Sequence, residues 1–235
     1  MRSLEMVGLP GVGKTSLLEA LRAEGSKAPN LQLTEVSLGR PEGIRAGEEL
    51  FATTLAVGHW AIRSPRKAWG VVQHLGQEHR RAPALVRKVH GLVRLDHLLE
   101  SESASEDSGR LMIMDEGPIH YLSCSVLNAD RVRRRRVWSM LTNLYRVLPG
   151  HGFLFLKRRR DSLHIGIQER RARNPRRSRF DHMSRQERGD RFDQIQVFLD
   201  HAESWAVEQG HPVFQLDLEE GLHAGARRLL QWVGA

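Results

Sequence analysis

Cysteine is nearly absent from this chain. Of its 235 residues only Cys124 is one, which excludes an internal disulfide and fits a reducing compartment. A lone thiol of this kind reads as a small buried residue. Lysine is scarce as well, with five residues against thirty-one arginines. Aromatic residues make up 6%, thin material for a base-stacking surface. No apolar run approaches the roughly eighteen residues that a membrane span requires. The glycine-rich segment described below starts at residue 8 and leaves no room for a signal peptide, so the expectation is a cytoplasmic protein with no membrane partner. The twelve histidines form no H-x-x-x-H pair and no Cys/His cluster, and no zinc site is read from them.

What is abundant is positive charge. The formal net charge is +8, with a sequence pI of about 10.5. That composition points to anionic partners such as nucleotides, phosphorylated substrates or nucleic acid. A hydrophobic fraction of 40% supports one substantial core, and a single domain over 1–235 is the expectation.

The most specific segment is Gly8-Leu9-Pro10-Gly11-Val12-Gly13-Lys14-Thr15, a match to the phosphate-loop pattern G-x-x-x-x-G-K-[ST]. The apolar residues Leu4 to Val7 precede it as a strand. Ser16 to Arg22 follow as a helix, with Leu17, Leu18 and Leu21 at helical spacing. Glycines in such a loop turn successive N–H groups toward phosphate oxygens, and the helix start adds its own N–H groups and positive dipole end. Residues 8–16, through Ser16, are therefore the nucleotide-binding candidates. Lys14 is expected to reach the terminal phosphates and Thr15 to offer its hydroxyl to Mg²⁺.

Downstream, strands alternate with helices. Strands are expected at 31–38, at 111–114 leading into Asp115 and Glu116, at 152–156 and at 211–217. Helices are expected at 131–148, 161–173, 184–209 and 221–233, and helical pattern runs from 44 to 100. The alternation predicts an α/β fold with about five parallel strands and helices on both faces. Residues 101–109 read as an acidic, serine-rich surface loop.

Asp115 ends an apolar run at the strand edge where ligands bind in open α/β sheets. It is the candidate second Mg²⁺ ligand beside Thr15. Glu116 is a candidate general base, a water-positioning residue or a substrate contact. Residues 157–191 carry thirteen Lys or Arg against five Asp or Glu. Charge of one sign at this density predicts a loop that stays mobile until an anion neutralises it. Arginines closing over a phosphoryl group would stabilise its charge and exclude water. Arg170 and Arg173 are the candidates, with Arg158 as a further one. Four or five arginines in 131–136 occupy the first turns of a helix, where its dipole disfavours cations.

The order of these parts resembles the thymidylate-kinase-like branch of the nucleoside and nucleotide kinases. The resemblance is carried by the phosphate loop, by Arg40-Pro41-Glu42-Gly43 after the second strand, by Asp115-Glu116, and by Glu169-Arg170-x-x-Arg173 followed by Arg179-Phe180-Asp181. It implies a P-loop NTPase fold with an Arg-rich lid at 157–183 and a long helical acceptor-side region at 44–100. It further implies ATP as phosphoryl donor, Mg²⁺, and a small-molecule acceptor, most simply a nucleotide or nucleoside. Arg40, Glu42 and Asp96 fall where such enzymes contact the acceptor. A homodimer is compatible with it. Glu116 stands where the family has an arginine, which removes a phosphate contact and leaves room for a neutral hydroxyl acceptor. Two other classes remain: a regulatory ATPase using Asp115-Glu116 hydrolytically, and a kinase of another hydroxyl, such as a sugar or a nucleic-acid 5′ end. A nucleic-acid partner is the less favoured reading, since aromatics in and next to the basic segment are sparse, Phe180 and Phe192 alone.

Overall fold

The computed structural model describes residues 3–26, 32–37, 110–117, 119–120, 151–173 and 179–234, with isolated helical positions at 58, 61–63, 65 and 138. The chain divides into two compact units. The first comprises Met1–Val36, Ser108–Ser123 and Gly150–Ala235; the second comprises Ser37–Asp107 and Cys124–Pro149. The expected helix at 131–148, most of the expected helical region at 44–100 and the serine-rich loop lie outside the described residues, as do residues 174–178 of the basic segment.

The first unit is built on five strands: β1 (Ser3–Gly8), β2 (Gln32–Ser37), β3 (Arg110–Glu116), β4 (His151–Lys157) and β5 (Val213–Asp217). Four helices accompany them: α1 (Lys14–Gly25), α2 (Arg160–Arg173), α3 (Arg185–Glu208) and α4 (Leu222–Val233). Short 3₁₀ turns lie at Arg179–His182 and Leu218–Glu220. The sheet order is β2-β3-β1-β4-β5, and the β1–β3, β1–β4 and β4–β5 pairs are parallel. The chain moves one way across the sheet from β1 to β2 and the other way from β4 to β5. Right-handed crossovers therefore place α1 on one face and α2 with α3 on the other. The last helix, α4, packs against α1.

Central strands covered on both faces become continuously apolar. All six residues of β1 are buried, as are the first six of β4. Leu4, Met6, Leu17, Leu21, Leu154, Leu216 and Leu229 share one core that is closed to solvent. Each such side chain contributes about 1.5–3 kcal/mol by leaving water. Helix boundaries follow local chemistry. Ser184 and Glu187 form a reciprocal capping box that starts α3, as the S-x-x-E spacing predicts. Left-handed Gly234 ends α4.

The sheet reverses its winding at β1, whose neighbours on the two sides are β3 and β4. The C-terminal edge at such a switch point is where an open α/β sheet forms its binding crevice. The phosphate-loop segment emerges there.

Candidate phosphate-binding site

The loop leaves β1 at Gly8 and enters α1 at Lys14. Two of its glycines are required by conformation: Gly11 has φ +84° and Gly13 has φ +106°, a region where a side chain is strained. Gly13 is the N-cap of α1 and provides no side-chain cap, so the first-turn N–H groups keep their anion-binding capacity. Val12 N–H donates to the Leu9 carbonyl at 3.2 Å, closing the loop. The Lys14 ammonium folds back and donates to the Gly8 carbonyl at 3.2 Å. Val12 is buried, while Leu9, Pro10, Lys14 and Ser16 are half-buried and Thr15 is exposed. The loop is thus anchored by its apolar side and opens at the α1 end.

Asp115 stands at the end of β3, one residue beyond Met114, the register partner of Glu5 on β1. It is half-buried and lies on the strand adjacent to the one that launches the loop. A hydroxyl from Thr15 and a carboxylate from Asp115 are hard oxygen donors of the kind that Mg²⁺ takes alongside phosphates and water. Among the described residues no group of three or more His, Cys, Asp or Glu side chains converges, so an ion here would depend on oxygens from a bound phosphate chain. The backbone of Glu116 completes β3; its side chain, and all of Arg40, Glu42 and Asp96, lie outside what is described.

The lid-side helix α2 comes against the loop backbone to backbone. A methyl built on Gly166 would lie 2.7 Å from the Gly11 carbonyl oxygen, and one on Gly11 would lie 2.8 Å from the Leu163 carbonyl oxygen. Arg170, on α2, makes a forked ion pair with Asp181, its Nε donating to Oδ2 at 3.0 Å and its Nη2 to Oδ1. The Asp181 carboxylate is buried and the arginine is 28% exposed. Arg188, itself buried, donates to the carbonyl oxygens of Asp181 at 3.4 Å and Met183 at 3.0 Å. Arg173 is 78% exposed and pairs with Glu169 one turn back, at 3.6 Å. Both candidate lid arginines thus have carboxylate partners within their own segment.

Three contributors are not evident from motifs. Glu5, buried in the middle of β1, accepts the Ile119 amide at 2.9 Å and the His120 amide at 3.4 Å, fixing the turn that follows Asp115. An acid inside an apolar strand was the available signal. Gly117 lies so close to the Glu5 side chain that a Cβ there would collide with it. Glu219, after β5, accepts the Arg159 amide at 3.2 Å and the Arg159 guanidinium at 3.1 Å. Its carboxyl is held below the usual carboxylate range, first by the Ser162 side chain and then by Arg159; no sequence signal marked it.

No protein-family model and no curated protein matches this chain. Among solved structures, deoxyadenosine kinase from M. mycoides, with products dCMP and a flexible dCDP bound, matches over 98% of this chain and 98% of that one, at a TM-score of 0.51 and 14% identity. The chain has the α/β P-loop NTPase fold. The phosphate loop, Asp115 and the β4–α2 segment therefore belong to an architecture shared with a nucleoside kinase.

Proposed function

We propose that this protein is an ATP-dependent phosphotransferase whose acceptor is a small molecule, in the first place a nucleoside or nucleotide. The observation that carries the reading is the loop itself, with left-handed glycines at 11 and 13, an α1 start free of side-chain caps, and Lys14 at its mouth. The likeness to a deoxyadenosine kinase favours a nucleoside-type acceptor over the other hydroxyl compounds. The narrower thymidylate-kinase-like assignment rests on sequence likeness at Arg40-Pro41-Glu42-Gly43, Asp115-Glu116 and the lid residues Glu169, Arg170, Arg173 and Arg179-Phe180-Asp181.

In this reading the loop amides and Lys14 hold the phosphate chain of ATP. The acceptor hydroxyl oxygen attacks the γ-phosphorus, the bond to the β–γ bridging oxygen breaks, ADP departs, and the hydroxyl proton passes to a carboxylate. Mg²⁺, when bound, neutralises charge on the β- and γ-phosphates, and Thr15 and Asp115 are the residues assigned to hold it. Glu116, Glu42 and Asp96 are the proposed acceptor-side acids, and Arg40 a further proposed acceptor contact. We assign 1–235 to a single kinase domain, with 44–100 as its acceptor-side region.

The test is an acceptor screen read as ADP production with Mg²⁺ and ATP, over nucleosides, nucleoside monophosphates, sugars and short oligonucleotides. ADP release that depends on a nucleoside or nucleotide supports the proposal. Release that is equally fast without any acceptor points instead to an ATPase.

A further inference from the structure

A guanidinium borders the notch beside the phosphate loop, and it comes from the start of the basic segment, ahead of α2. Arg158 is the first residue after β4. A methyl built on Gly13 would lie 3.9 Å from its Nη1, and one on Gly166 would lie 3.7 Å from the same nitrogen. That nitrogen therefore sits between the residue that opens α1 and the helix face that meets the loop. Both of these neighbours are glycine, and the Leu218 side chain also borders the notch, 3.5 Å from a methyl built on Gly13.

The other end of the group is buried and is held by charge alone, since Nε has no hydrogen-bond partner among the described residues. Arg158 Nε lies 3.7 Å from Glu219 Oε1, and Glu219 is immobilised by Ser162 and by the amide and side chain of Arg159. One carboxylate thus faces two guanidinium groups and leaves a positive charge over. The neighbouring acids are engaged elsewhere: Asp217 accepts the Glu219 amide at 2.9 Å, and Glu220 pairs with Arg228. Arg170 forks onto buried Asp181 and Arg173 is exposed on α2, whereas Arg158 borders the loop.

Building on the nucleotide-binding reading above, we propose that Arg158 is a phosphate-contacting residue of this site and that Glu219 is its positioning residue, holding Nε so that Nη1 faces the phosphate chain. Arginine rather than lysine suits this position, because its fork binds a carboxylate and a phosphate at once.

The test is calorimetric titration of the full chain with ADP plus Mg²⁺, on the wild type and on R158Q, R158K, E219Q and the R158Q/E219Q double variant, with thermal unfolding of each. The expected result is about a ten-fold loss of ADP affinity in R158Q, about 1.4 kcal/mol, partial rescue in R158K, and a smaller loss in E219Q that adds nothing in the R158Q background. If the wild type binds no ADP, the nucleotide reading itself falls. If the wild type binds and R158Q binds within two-fold of it, that reading stands and Arg158 is no phosphate contact. If E219Q weakens R158Q further by its full single-variant factor, the positioning role is wrong. Should R158Q fail to fold, R158K and E219Q decide: unchanged ADP affinity in both overturns the proposal.

Discussion

Acid should loosen this fold through His151. The residue opens β4 on the edge of the sheet opposite the phosphate loop, in register with Ser3. Its ring is fully buried, with Nδ1 at 2.8 Å from the Ser3 hydroxyl and in a T-shaped contact with Phe153 at 4.8 Å between centroids. Burial, and secondarily His211, lowers its pKa from 6.5 to about 3. As pH falls, the unfolded chain takes the proton first, so the stability due to the neutral ring is complete above pH 6.5 or so and drains away toward pH 3. A pH of 5 lies about 1.5 units below the unfolded histidine's pKa of 6.5. At 1.36 kcal/mol per unit this is a loss of about 2 kcal/mol relative to pH 7. With a urea m value of about 2–3 kcal/mol/M, the midpoint should fall by about 0.7–1 M. His164 and His211 are shifted the same way, chiefly by burial, so the assay must isolate one ring. Urea unfolding of wild type and His151→Asn at pH 7 and pH 5 does so. The variant starts less stable but should lose about 2 kcal/mol less on acidification. Equal losses in the two proteins would refute the assignment.

Three other perturbations bear on the site. Gly166→Ala places a methyl 2.7 Å from the Gly11 carbonyl oxygen; despite alanine's better helix propensity it should cost about 1–2 kcal/mol of stability and weaken ADP binding, and a stabilised variant in urea unfolding would contradict the backbone contact. Arg170→Ala leaves the Asp181 carboxylate buried without its guanidinium and should cost about 2–4 kcal/mol; a loss below about 0.5 kcal/mol would return Arg170 to phosphate binding. Lys14→Ala should reduce phosphoryl transfer at least about 100-fold at unchanged thermal stability, measured as ADP production with the best acceptor from the screen; near-normal turnover would remove the phosphate loop from the mechanism.

The phosphate loop, the strand before it and the helix after it were legible because each is a local statement. Glycine marks a left-handed position, an apolar run marks a buried strand, and leucines at helical spacing mark a covered face. The strand expected at 31–38 is found at 32–37, and the helix expected at 184–209 begins at a capping box written within four residues. The fate of the basic segment was not local. Thirteen cations between 157 and 191 suggested a cluster held open by repulsion. Several of the described ones pair with acids on other elements: Arg185 with Asp161, Arg160 with Asp193, Arg159 with Glu219; residues 174–178, in the middle of the segment, lie outside the described residues.

By itself the sequence determined that a glycine-rich loop would sit between a buried strand and a helix, since backbone conformation and hydrophobic period are properties of neighbouring residues. Only the tertiary structure decided which arginine borders that loop. Arg170, from the motif-like segment, closes onto Asp181, eleven residues later, whereas Arg158, which borders the loop, is paired with Glu219, sixty-one residues later. Electrostatic pairing depends on distance in space and on burial, and neither is written in the spacing of charges along a chain.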